Sequence, residues 1–264
     1  MKAALERWLS AEDADAAVPR FRRVFCAVTL AYDVVDVALG ATEHEGDWFP
    51  HPRNTEMLLL QLGLIACGVC LVLGRWVYVA GIASAGLRFW QARIFGLNDF
   101  HFFAVVTLLV AHGDGGPFKG GPKHPKWVRD VLLAQVAFVY AATAWLKLGP
   151  SWIGGDGIFV RTTFLREGNH WPYPGFVARA LASKTVDAWL ARAAVVAEFS
   201  LAAVLAVRRP YWMAVALCVG IHTFGALATN VWFFSAAMLS CVVLLVPRSR
   251  RREEKKPPGA PGAE

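Results

Sequence analysis

The sequence predicts an all-α fold: a polytopic helical bundle in a membrane, with about eight spans and no large soluble domain. Three observations carry that reading. The chain has 264 residues, of which 56% are apolar, more than an ordinary soluble core accommodates. The apolar residues are collected in runs of about 20, the length at which a helix crosses hydrocarbon. Short charged loops separate the runs, as expected where every backbone group inside the bilayer must bond within a helix.

The elements follow in order. Met1 to Pro19 is a mixed-charge segment without an apolar stretch, so no cleavable signal peptide is expected and the first span would direct insertion itself. That first span runs from Phe21 to Leu39, after Arg20, Arg22 and Arg23. The second takes Glu56 to Leu73 and stops at Gly74-Arg75. The third takes Trp76 to Gly96, and the shorter fourth takes Asp99 to His112. The fifth, Trp127 to Leu148, ends at Lys147 and the helix-breaking Gly149-Pro150. A long connection leads to the sixth (Thr185 to Val207), seventh (Tyr211 to Thr229) and eighth (Val231 to Val246). The organisation is therefore residues 1–19 as a cytoplasmic segment, 20–247 as the transmembrane domain and 248–264 as a charged, Pro/Gly-rich disordered tail.

Net charge is +7, but it is parcelled out between apolar runs instead of forming one soluble basic face, which argues against a nucleic-acid partner. The basic segments Arg20–Arg23, Arg75, Lys119–Arg129, Arg208–Arg209 and Arg248–Lys256 all fall on one side if both termini are cytoplasmic, as the positive-inside rule requires. The five cysteines lie in apolar runs, against a disulfide-stapled external domain. Cys67-Gly-Val-Cys70 has redox spacing, yet it lies away from the charged cluster and no loop cysteine is placed to relay electrons, so two ordinary buried thiols are the favoured explanation.

That topology puts ionisable residues at one depth. Asp33 and Asp36, Arg88 and Arg93, Asp99 and His101, and Lys147 occupy the outer halves of their spans, with Glu198 and His222 near the middle. Charged groups inside a bilayer pair with one another or face a cavity, and by default they mark function. Tyr140, Thr143 and Lys147 at i, i+3 and i+7 share a helix face, and Trp152 follows at the interface. Each residue also has a plainer explanation. Lys147 can snorkel, Arg88 and Arg93 can form structural pairs with Asp33, Asp36 or Glu198, and His222 sits in a small-residue stripe suited to helix packing. No Gly-rich phosphate loop, His-rich metal pair or nucleophile elbow is present, so no metal site is expected.

Lys147-Leu-Gly-Pro-Ser-Trp152-Ile-Gly-Gly155 resembles a motif of the vitamin K-dependent gamma-carboxylases and their relatives with a horizontally transferred transmembrane (HTTM) domain. Glu198, then His222 and Trp232-Phe-Phe234, is similar to a later pattern of that family. Asn98 to His101 resembles its Asn/His pair, and an Arg-bearing third span is also similar. The resemblance covers Arg20 to Val246. It implies Lys147 as the base that deprotonates a reduced naphthoquinone, a vitamin K-like cofactor, with His101 assisting oxygen chemistry. It also implies a pocket of Arg88, Asn98, Asp99, Tyr140, Trp152, Glu198 and His222, a peptide or protein substrate, membrane lipids as neighbours and a bacterial inner-membrane location. Two departures are visible: Gly154 stands where the family often has an acid, and the family's large lumenal domain has no counterpart here. The base role requires a dry amine without a counter-ion, because apolar surroundings then disfavour the ammonium. A carboxylate on that amine favours the alternative, a non-catalytic membrane protein that binds a lipid or partner, as in toxin maturation or immunity.

Overall fold

The computed structural model describes residues 2–13, 16–40, 55–95, 98–113, 124–158, 179, 182–208, 210–229 and 232–244. Among these the fold is all-helical, and no strand occurs beyond an isolated bridge between Glu12 and Pro125. A short amphipathic helix α1 (Lys2–Ser10) is followed by α2 (Ala17–Gly40), α3 (Thr55–Leu73), α4 (Val77–Phe95), α5 (Asn98–Gly113) and α6 (Lys126–Leu146). After the single-turn α7 (Pro150–Ile153) come α8 (Lys184–Val207), α9 (Tyr211–Thr229) and α10 (Trp232–Ser240), which runs into a 3-10 turn, Cys241–Leu244. Helices α3, α6 and α8 are each long and apolar enough to cross a membrane.

These long helices lie close to the predicted spans, and the differences have local causes. Helix α1 occupies the mixed-charge segment before the first span, for which no element was predicted. It closes with Ser10 Oγ bonding back to Glu6 O, and Trp8 ties it to α6. The last helix stops at Ser240, short of the expected Val246, and tightens into the 3-10 turn. The connection after Lys147 contains α7, started by Pro150, whose fixed φ suits the first helical position. The predicted tail 248–264 lies outside the described residues.

Consecutive helices run up and down, because the chain reversals gather at common ends. At one end, Gly74 after α3 sits under the Arg22 guanidinium of early α2. Gly113 closing α5 meets Val18 of α2 and Val128 of α6. At the same end a polar clasp closes the bundle. Asp13 accepts from Ala17 N (2.8 Å) at the start of α2 and from Arg129 (3.1 Å) of α6. Arg129 also donates to Leu244 O (2.9 Å). The neighbouring Asp130 accepts from Trp8 Nε1 (2.9 Å) and from Arg208 (2.6 Å) beyond α8.

The core is an aromatic spine. Phe21 and Phe25 of α2 stack at 5.2 Å, Phe25 meets Phe103 of α5 at 5.8 Å, and Phe103 meets Phe234 of α10 at 6.4 Å. Where α4 crosses α5 the backbones nearly touch: a Cβ on Gly81 would collide with that of Ala111.

Around this apolar core, several helices bury polar residues next to exposed apolar ones. On α2, Val34 and Val35 are exposed while Asp33 and Asp36 are buried; on α4, Phe89 and Trp90 are exposed while Arg88 and Gln91 are buried. Glu198 on α8 is likewise buried between the exposed Val196 and Phe199. Water would favour the reverse arrangement, and hydrocarbon favours this one.

Candidate functional site

The site is assembled where α6 ends. Lys147 terminates the helix, its N–H bonding to Thr143 O and Ala144 O. Gly149 and Pro150 then redirect the chain into α7, which carries the Trp152 ring back over Lys147, 5.2 Å from Nζ. Two glycines make that return possible. Gly155 has φ +87°, and a Cβ there would lie 2.5 Å from Ala188 N, so α7 and the start of α8 meet through bare backbone. Gly157 leaves the space that Trp152 fills.

Helix α8 supplies the partner. Lys147 Nζ contacts Glu198 Oε1, with the lysine side chain about a quarter exposed and the glutamate buried. The expectation of an amine without a counter-ion is therefore corrected: antiparallel packing of α6 on α8 puts a carboxylate on it. Two turns earlier on α6, Tyr140 Oη lies 2.5 Å from His222 Nε2 and 3.6 Å from Cys218 Sγ on α9. The Phe234 edge closes on His222 at 6.0 Å. Thr143, expected to share this face, bonds its own helix backbone at Tyr140 O.

Among the described residues, two polar atoms beside Lys147 lack hydrogen-bond partners. Glu198 Oε2 accepts nothing and Trp152 Nε1 donates to nothing, although both atoms are buried. The site thus offers a spare acceptor, a spare donor and a cation. Burying such groups unsatisfied costs about 1–3 kcal/mol each, a reason for a ligand or water to fill them.

The remaining candidates fall elsewhere. Arg88 pairs with Asp33 at 2.5 Å, donates to Gln91 Oε1 at 2.8 Å and lies over the Phe100 ring. Gln61 donates to Asp36 alongside. This second cluster between α2, α3 and α4 realises the structural-pair explanation for Arg88. His101 is exposed, with its ring against Phe89 at 5.8 Å, and among the described residues no hydrogen bond or ring contact joins it to Lys147. The helical phase of α5 turns it outward, which corrects its placement in the same pocket. The side chains of Asn98 and Asp99 lie outside the described residues. Cys67 and Cys70 are half-buried free thiols on α3. Sequence reasoning missed Gln61 and Gln91, glutamines fully inside the bundle; a buried amide in an apolar run is itself a signal of a partner.

Beneath the Tyr140 hydroxyl is a cavity of about 10 Å³ lined by Leu133, Val136, Leu201, Leu205, Cys218, Cys241 and Val242. It has room for about one water and for no ring. Compared with known protein families, curated proteins and solved structures, the chain matches none.

Proposed function

We propose that this chain is an eight-span integral membrane protein with both ends cytoplasmic that binds a lipid-soluble ligand at Lys147, Glu198 and Trp152 in the outer half of the bundle. Lys147 acts there as a charge-paired recognition group. The observation that carries this is the Lys147–Glu198 contact flanked by an unsatisfied acceptor and an unsatisfied donor. The complementary ligand has a hydroxyl to give to Glu198 Oε2 and a carbonyl or hydroxyl oxygen to take Trp152 Nε1–H. A hydroquinone ring has both, and so does a hydroxyl-bearing lipid headgroup. Three helices of spanning length, apolar exteriors and paired interior charges support the membrane setting.

A second reading is quinol-linked oxidation or carboxylation on a lipid or peptide. The lysine motif's resemblance to the carboxylases favours it, and so does the free oxygen of Glu198, which would take the quinol proton in place of Lys147. One set of reconstitutions separates the readings. Protein in vesicles is given a reduced naphthoquinone, and both retention and oxygen-dependent consumption are measured for wild type, Lys147→Ala and Glu198→Gln. Binding lost in Glu198→Gln without consumption by any form supports the binding role; consumption that Glu198→Gln abolishes supports turnover. If the quinol is not retained, lipids co-purifying with wild type but not with Glu198→Gln would identify a headgroup, and the absence of both defeats the proposal. The topology has its own check: a cysteine at Ala182, exposed ahead of α8, labels only from the non-cytoplasmic side.

A further inference from the structure

The first helix is the element that neither reading uses. At 100° per residue, Ala4, Trp8, Leu5 and Leu9 fall on one continuous arc of about 140°, with Glu6, Ser10 and Arg7 opposite. Its nine residues are too few to cross a membrane and carry too marked a polar face; such helices lie in the membrane surface.

Its position is fixed by the clasp. Trp8 Nε1 donates to Asp130 near the start of α6, Asp13 N donates to His124 O at 2.7 Å, and Lys126 N donates to Ala11 O at 2.9 Å. The helix therefore sits at the end where the chain reversals after α3 and α8 gather. Trp8 spends its polar atom on Asp130, while Leu5 and Leu9, although apolar, are 53% and 44% exposed. Around them the same end exposes Arg23, Arg75 and Lys126, together with Trp76 and Trp212. A ring of exposed tryptophans and basic side chains at the ends of apolar helices is what a headgroup layer selects.

We propose that α1 is an interfacial anchor: Leu5 and Leu9 insert into the cytoplasmic leaflet, and the neighbouring Arg23, Arg75 and Lys126 hold anionic headgroups around it. The occupant is the lipid surface, because the helix is amphipathic and too short to span, and Arg23, Arg75 and Lys126 at the same end are exposed and cationic. Each basic residue near an anionic surface adds attraction that falls off within a Debye length. This rests on the membrane reading of the bundle, and the test separates the two.

The full chain, with Cys67 and Cys70 changed to Ala, is labelled with an environment-sensitive fluorophore at Leu5→Cys, Glu6→Cys or Leu59→Cys and reconstituted into phosphatidylglycerol or phosphatidylcholine vesicles. Leu59, exposed on α3, reports the membrane itself. Expected is quenching of the Leu5 label by a shallow lipid-borne nitroxide. Its iodide quenching should be several-fold weaker than at Glu6, with the contrast larger in the anionic vesicles. Equal iodide quenching at Leu5 and Glu6 overturns the proposal, since the helix is then in water. So does a Leu5 label that neither quencher reaches, since protein then covers it. In both cases a lipid-quenched Leu59 leaves the spanning reading standing, whereas a Leu59 label reached only by iodide removes both.

Discussion

The bundle holds its charges in two ways, one at each end. At the clasp, both oxygens of each carboxylate are used: Asp13 by Ala17 N and Arg129, Asp130 by Trp8 and Arg208. Away from the clasp, two buried carboxylates are half used among the described residues. Asp33 binds Arg88 through Oδ2 and leaves Oδ1 unbonded; Glu198 binds Lys147 through Oε1 and leaves Oε2 unbonded. Saturated carboxylates joining several chain segments are what a structural joint needs, while spare acceptors inside apolar surroundings are expensive unless something else fills them. The contrast supports the proposed ligand site at Lys147 and Glu198 more firmly than the presence of charge does, since charge is found at both ends.

Four substitutions can break or sharpen that contrast, each read as loss of thermal stability in detergent micelles. The largest effect is expected from Arg88→Met, which strands Asp33 in a site where both side chains are almost fully buried; a loss of about 3–5 kcal/mol is expected, and the double change Arg88→Met/Asp33→Leu should recover most of it. A double variant no better than the single one would mean that the pair is not the relevant interaction. Lys147→Met should cost less, about 2 kcal/mol, because the lysine is partly exposed and solvent already screens it. Adding Glu198→Gln to Lys147→Met should restore stability but not ligand binding, and restoration of both would move the ligand elsewhere. Next comes Asp130→Asn at about 1–2 kcal/mol: Arg208 is largely exposed, so little is lost with the charge. If this change costs more than Arg88→Met, the clasp is the stability centre and the contrast reverses. Trp8→Phe removes one hydrogen bond and trims the indole to a single aromatic ring, for about 1 kcal/mol.

Much of this was legible in the sequence, and what was hidden has a physical reason. Helix α9 coincides with its predicted span, and α4 differs from its prediction by a residue at each end, because long apolar runs closed by Gly, Arg or Pro leave little choice. That Asp33, Arg88 and Glu198 lie inside the bundle also follows from their place in apolar runs. Their pairing did not: Lys147 and Glu198 lie 51 residues apart, and which helices touch depends on packing that no run of residues records. His101 was misjudged for a related reason, since nearness to Asn98 along the chain says nothing of which way α5 is rotated. Helix α1 escaped because a search for spans passes over nine mixed residues, although Leu5, Trp8 and Leu9 had carried its amphipathic signal.

Gly155 places a bare backbone against Asp187 and Ala188, so a missing side chain sets how closely the turn after α7 approaches the start of α8. One methyl group there would work as a shim, shifting the segment that carries Trp152 over the Lys147 amine while leaving acid and amine untouched. Such a centre can be retuned by mechanical adjustment at a distance, without any alteration to its chemistry.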